Sequence, residues 1–148
     1  MHRGQISFDF LVILVFTFLI FAQLFEVFAL ESASDRILED RVSAVRVGSM
    51  VSRVINKVSM LNGTSYLVAI PESLDTGDAY YLNITPSGRR VDVFWSLSVP
   101  ISVQNRSIGV AILTSNVTAF NISKSAGSGQ STLNITNING LINISKVS

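Results

Sequence analysis

Between Phe10 and Phe25 the chain carries no charged residue, and from Phe10 to Ala22 every side chain but Thr17 is aliphatic or aromatic. Water is the wrong solvent for such a run. Extended to Leu30, tolerating Gln23 and Glu26, it measures about 31 Å as a helix, which matches a hydrocarbon core of about 30 Å. It can cross a bilayer once. His2 and Arg3 precede it, while Glu26, Glu31, Asp35, Glu39 and Asp40 share the far side with Arg36 and Arg41. The Lys/Arg bias is slight, but the amino terminus and His2 beside Arg3 favour the N-terminus in and the C-terminus out.

Composition narrows the remaining options. Only 14% of the 148 residues are charged, about half the usual share of ~25%. A formal net charge of +1 lacks the clustered cations that phosphate neutralisation requires, so no nucleic-acid partner is expected. There is no Cys, hence neither a disulfide nor a thiolate metal site, and the single histidine, His2, sits at the extreme N-terminus, outside any dyad built deep in a fold. No Gly-rich phosphate loop and no Ser/His/Asp set is present. The sequence therefore reads as a non-enzyme without cofactor or metal, one modest domain with an apolar appendage.

A secretory leader would place a small-x-small cleavage site after an apolar stretch of about 7 to 15 residues. The best match, Ser32-Ala33-Ser34, lies beyond Glu26 and Glu31. The residues before the apolar run fit another pattern. Arg3-Gly4-Gln5-Ile6-Ser7-Phe8-Asp9-Phe10 resembles the class III leader of archaeal type IV pilin-like proteins, in which Gly and a cut are followed by Q-x-S-x-E-F. Gln5, Ser7 and Phe10 match as they stand, and Asp9 replaces the family's Glu, one methylene shorter with the carboxylate kept. The likeness covers about ten residues plus the apolar helix, and its weight comes from joining several constrained positions in the right order.

That resemblance implies a membrane-embedded prepilin peptidase cutting between Gly4 and Gln5 at the cytoplasmic face. The apolar helix then stays on the mature protein. Gln5 becomes a free amino terminus with Asp9 four residues on, so a cation and an anion lie at the edge of an apolar rod. Charges in such surroundings persist when paired. In the family view the carboxylate meets a neighbouring subunit's amino terminus and fixes register during assembly. The alternative is that Asp9 complements its own helix N-terminus or amine, worth about 0.3–1 kcal/mol. Cyclisation of an N-terminal Gln would erase the cation.

Beyond Leu30 the pattern is amphipathic. Val47, Met50, Val51, Val54, Ile55, Val58 and Leu61 recur at three- and four-residue steps, with Arg46, Ser49, Ser52, Arg53, Asn56 and Lys57 on the other side. Leu38, Val42 and Val45 give a weaker stripe, and Val45-Arg46-Val47 also reads as strand. A continuous helix from about Ile6 to Leu61, stopped by Asn62-Gly63, is preferred, its back half seeding the outer domain's core. From Gly63 the period becomes two. Ser65–Ile70 and Ala79–Thr85 read as strands, Pro86-Ser87-Gly88 as a turn, and Val91, Val93, Trp95, Leu97, Val99, Ile101 and Val103 as one inward series that Pro100 splits. Ile108–Leu113 and Val117–Ile122 follow as strands, then a soft loop over 125–131. Thr132–Ile138 and Leu141–Val147 close the chain as a hairpin on Asn139-Gly140, pairing Ile138 with Leu141 and Ile135 with Ile144.

Seven of ten asparagines head Asn-x-Ser/Thr sequons: Asn62, Asn83, Asn105, Asn116, Asn121, Asn134 and Asn143. In Leu82-Asn83-Ile84-Thr85, Phe120-Asn121-Ile122-Ser123, Leu133-Asn134-Ile135-Thr136 and Ile142-Asn143-Ile144-Ser145, apolar flanks turn each Asn outward on a strand. Asn is a poor strand former, so its repeated use points to glycan attachment on an extracytoplasmic surface. A solvent face rich in Ser, Thr and Asn would form sequons by composition alone. Pro86 directly after Thr85 weakens Asn83, and Asn62 has a competing role at the helix end. Glu72, Asp75 and Asp78 lack a calcium-loop spacing and read as a solvated loop. Arg89, Arg90 and Arg106 read as charged turn decoration, and Trp95 as core.

The expected architecture is α+β: leader 1–4, a helix over 5–61 (about 10–30 transmembrane, 31–61 amphipathic) and an antiparallel β-rich extracellular domain over 62–148. The expected role is a pilin-like structural subunit, single-pass in the membrane and then in a cell-surface filament, its partners being copies of itself or related pilins, the prepilin peptidase, the assembly machinery and membrane lipid. Two alternatives remain: a minor pilin or anchored surface protein with a binding or adhesion role, and a soluble domain released near Ser34.

Overall fold

The computed structural model describes residues 3–99 and 102–147, with side chains described from Phe8 onward and not for 98, 99 and 102. One helix, α1 (Arg3–Ser59), precedes seven strands: β1 (Ser65–Ile70), β2 (Tyr80–Thr85), β3 (Arg90–Val99), β4 (Ser102–Ala111), β5 (Phe120–Lys124), β6 (Ser131–Ile138) and β7 (Leu141–Val147). The layout is α+β with antiparallel sheets, a long apolar helix followed by a β domain, as the two hydrophobic periods predict. By packing, the chain divides into Met1–Arg36 and Ile37–Ser148, so the back of α1 belongs to the strand-bearing unit.

The first unit is a helical segment whose described large apolar side chains all face outward. Every Phe, Leu, Ile and Val from Phe8 to Leu30 is exposed, between 39% for Val12 and 78% for Phe25. Thr17, the polar interruption, donates its hydroxyl to the Ile13 carbonyl at 2.8 Å, so its polar atom is satisfied inside the helix. By length and composition α1 contains one segment able to cross a membrane.

In the second unit the strands form two sheets, β1-β6-β7 and β4-β3-β2-β5, every strand pairing antiparallel. Ala44, Val47, Val51, Ile55 and Val58 of α1 share one core with Val68 and Ile70, Leu82 and Ile84, Val91 and Val93, and Leu133, Ile135, Ile142 and Ile144. The helical stripe steps by three and four, the strand positions by two, and each element gives the core a single face. Leu61, at the end of the expected stripe, is exposed because α1 ends at Ser59. Gly63, at φ +74°, turns the chain and donates its N–H to the Asn137 carbonyl at 3.0 Å.

At Gly48 helix and sheet approach closely. A Cβ there would lie 2.9 Å from Val110 Cγ2 and 3.4 Å from Val93 Cγ2. At the helix end, Asn137 is buried and ties three segments together. Its amide donates to the Val58 carbonyl at 2.9 Å and its carbonyl oxygen accepts the Gly140 N–H at 2.8 Å, while its backbone N–H donates to the Thr64 carbonyl.

The last hairpin follows the expected register. Ile138 pairs with Leu141 and Ile135 with Ile144, and Asn139 (φ 51°) and Gly140 (φ 87°) adopt the left-handed turn that an Asn-Gly pair favours. Elsewhere the strand reading needs correction. Trp95 and Leu97 are buried with Val91 and Val93, but Val103 is 69% exposed. Val99 pairs with Ser102 and Leu97 with Gln104, so the inward series changes from odd to even positions between β3 and β4. Residues directly opposite in a hairpin share a face, whatever their parity. Pro100 and Ile101 lie outside the described residues. Ile108 belongs to β4, not to a separate strand over 108–113. The strand expected from Val117 becomes β5, shifted to Phe120–Lys124, with Val117 making one isolated parallel bridge to Ile142.

Candidate functional site

The residues singled out by sequence fall in three places. Gly4, Gln5 and Ser7 lie in the backbone of α1, with their side chains outside the described ones, and His2 is outside the described residues altogether. Asp9 and Phe10 are exposed on the helix. Gln5 and Asp9 are one helical turn apart, the spacing that brings side chains to a common face.

The sequon asparagines all sit in the second unit and none is buried. Asn62, Asn105, Asn116, Asn121 and Asn143 are exposed, while Asn83 and Asn134 are half-buried. Their strand neighbours explain the outward aim, since Leu82, Ile84, Leu133, Ile135 and Ile142 are at most 1% exposed. The hairpin also places Asn134 opposite Ser145 and Asn143 opposite Thr136, so both acceptors share one face. Asn83 and Asn121 are direct cross-strand partners, which crowds any two large groups attached there. Three side chains already have local partners. Asn83 Nδ2 donates to Thr85 Oγ1 at 3.1 Å, Asn116 Nδ2 to the Gly140 carbonyl at 2.6 Å, and Asn134 Oδ1 accepts from Ser65 Oγ at 2.5 Å.

The charged residues of the sequence reading are separated. Glu72 accepts the Gly129 N–H at 3.0 Å, Asp75 pairs with Arg46 at 3.0 Å, and Asp78 lies beside Asp40. Arg90 pairs with Asp92 at 2.9 Å, whereas Arg106 stands on β4 opposite Trp95. Trp95 is core, as expected.

Three buried charged residues are not apparent in the linear reading: Asp92, which Arg90 pairs, Asp40 and Lys124. Asp40 is fully buried, accepts from the Thr76 hydroxyl, and has its second carboxylate oxygen buried without a hydrogen-bond partner among the described residues. Burial, and then the neighbouring Asp78 carboxyl, push its pKa up. The signal was present in the spacing: residues 40, 44, 47, 51, 55 and 58 form one three-and-four stripe. Lys124 is buried at the end of β5, donating to Ser131 Oγ at 2.9 Å and to the Gly129 carbonyl, and burial holds its ammonium below the usual lysine range. These contacts anchor the 125–130 loop. The molecule thus combines an outward-facing apolar helical segment with a β domain that bears a sequon-rich surface. No known protein family, curated protein or solved structure matches the chain.

Proposed function

We propose that the chain is a structural, pilin-like subunit: cut between Gly4 and Gln5 by a prepilin peptidase, held in the membrane by α1, and assembled into an archaeal cell-surface filament. The observation that carries this reading is the uninterrupted exposure of large apolar side chains from Phe8 to Leu30. A helix apolar on all sides needs apolar surroundings on all sides. Lipid supplies them before assembly and like helices supply them in a filament, where each copy meets the next through unlike surfaces that do not close into a ring. Asp9 sets the register by meeting a neighbour's Gln5 amine, and the sequon asparagines carry glycans toward solvent.

Mass spectrometry of the mature N-terminus, combined with electron microscopy of cell-surface filaments, tests this. A chain starting at Gln5 and recovered in filaments is the expected result, with the Gln5 amine free as the Asp9 pairing requires; a cyclised Gln5 would remove that pairing, and a start near Asp35 overturns the whole reading. Gly4→Glu should leave an uncut precursor. Asp9→Ala should be inserted and cut normally yet yield no filaments; normal filaments from that variant would remove the pairing role from Asp9.

A further inference from the structure

Within the Ile37–Ser148 unit a cavity of about 230 Å³ opens between the back of α1 and the β3–β4 pair, lined by Ile37, Arg41, Trp95, Arg106, Ser107 and Ile108. The fold fixes it firmly. Trp95 stands directly opposite Arg106, and Val93 opposite Ile108, on adjacent strands. Ile37 and Arg41 lie one turn apart on the helix that Gly48 lets close onto Val93 and Val110.

The polar lining is one-sided. It consists of Arg41, Arg106 and Ser107, with the Trp95 ring beside them and no carboxylate among the lining residues. Trp95 is 6% exposed, and its Nε1 is buried without a hydrogen-bond partner among the described residues. Arg41 and Arg106 are absent from the two ion pairs among the described residues, Arg46–Asp75 and Arg90–Asp92. Arg106 donates Nη2 to the neutral Gln104 Oε1 at 2.5 Å, which leaves its charge uncompensated and most of its donors available.

We propose that this cavity binds a tetrahedral oxyanion of the phosphate or sulfate class, gripped by the Arg41 and Arg106 guanidiniums beside the Trp95 ring. Guanidinium forks pair with such oxygens two at a time, and two forks from different elements suit a tetrahedral group. At about 230 Å³ the space is smaller than the ~300 Å³ at which drug-sized pockets begin, so the anion enters as a free ion or as the end of a larger carrier. A neighbouring cavity of about 500 Å³ shares Trp95 and Arg106 and adds Tyr81 and Phe94, whose ring centroids are 6.1 Å apart. A phosphorylated sugar and a lipid headgroup are therefore carriers to set against the free ion.

Trp95 is the chain's only tryptophan, so its emission and its indole N–H resonance report on this cavity directly. The full chain in non-ionic micelles is titrated with sodium phosphate and sodium sulfate at constant ionic strength, against sodium chloride. Saturable changes in both signals with phosphate and sulfate, and none with chloride, are expected. Arg41→Gln and Arg106→Gln should each weaken binding about tenfold or more, and together abolish it, with an unchanged circular dichroism spectrum. Glucose 6-phosphate and a short-chain phosphatidate then identify the carrier: whichever saturates at the lower concentration is the source, and equality with inorganic phosphate points to the free ion. Absence of saturation with all of them, or an undiminished response in the double variant, overturns the proposal.

Discussion

From Phe8 to Leu30 the large apolar side chains of α1 are all exposed, whereas from Ala44 to Ser59 exposure largely follows the chemistry. There Ala44, Val47, Val51, Ile55 and Val58 are at most 2% exposed, and Arg46, Arg53 and Lys57 face water. Hydrophobicity alone does not decide which half is buried. A narrow apolar stripe can be satisfied by the inner faces of sheets, while a rod apolar on every side cannot be covered by one neighbour. The front of α1 is built for an apolar medium and the back for an apolar face.

The sharpest way to break this comparison is to shorten one side chain in each half. Ile55→Ala should destabilise the Ile37–Ser148 unit by about 2–5 kcal/mol, because it leaves a cavity among Val51, Val58 and their strand partners. Leu14→Ala should change it by less than about 0.5 kcal/mol, as for surface positions generally. Denaturant unfolding of the full chain in non-ionic micelles, followed by Trp95 fluorescence, measures both. Equal losses would mean that the two halves unfold as one cooperative body.

A smaller effect is expected where helix and sheet meet. Gly48→Leu should cost about 1–3 kcal/mol, since its first carbon already lies 2.9 Å from Val110 Cγ2 and a β-branched neighbour has little rotameric freedom to yield. Gly48→Ala sharpens the point. The helix gains about 1 kcal/mol from losing a glycine, so a net change near zero or below in the same unfolding assay measures the crowding by difference. A gain of the full helical increment would show that the contact gives way freely.

How much of this was legible in the sequence depends on whether the signal is local. The helix, the β1 range and the Asn139-Gly140 hairpin are written in short-range periodicity and turn chemistry, and the structure follows them. The exposure of Val103 was not legible, because its face is set by pairing with Ser98 on β3 and not by parity within its own run. Val117 fails as a strand residue for a similar reason: its backbone neighbour is Ile142, far along the chain. Asn137 differs from the sequon asparagines by a buried role that no tripeptide records. The outward aim of the sequon asparagines was readable from their apolar flanks. The cavity was not, since Arg41, Trp95 and Arg106 come from three elements and meet only once the helix has docked.

The back of α1 buries one charged residue, Asp40, against its own pattern, and this gives the finest test. Asp40 occupies the buried stripe, where the ordinary stripe residue is apolar. With burial and then Asp78 pushing its pKa above the ordinary value of 3.8, the folded state holds this proton more tightly than the unfolded chain does. Its stabilising contribution is therefore fully present below about pH 4 and is lost as pH rises through the elevated value. Other carboxylates superimpose their own trends, so the difference between wild type and Asp40→Asn is the useful quantity. Asn keeps an oxygen to accept from the Thr76 hydroxyl and adds N–H donors that can face Asp78. Relative to wild type, the variant should gain about 1 kcal/mol at pH 7 and nothing near pH 4, with the gain opening as Asp40 would otherwise ionise. Parallel stability curves across that range would mean that Asp40 carries its charge without penalty, and the back half of α1 would then tolerate a buried carboxylate as readily as the exposed front tolerates Asp9.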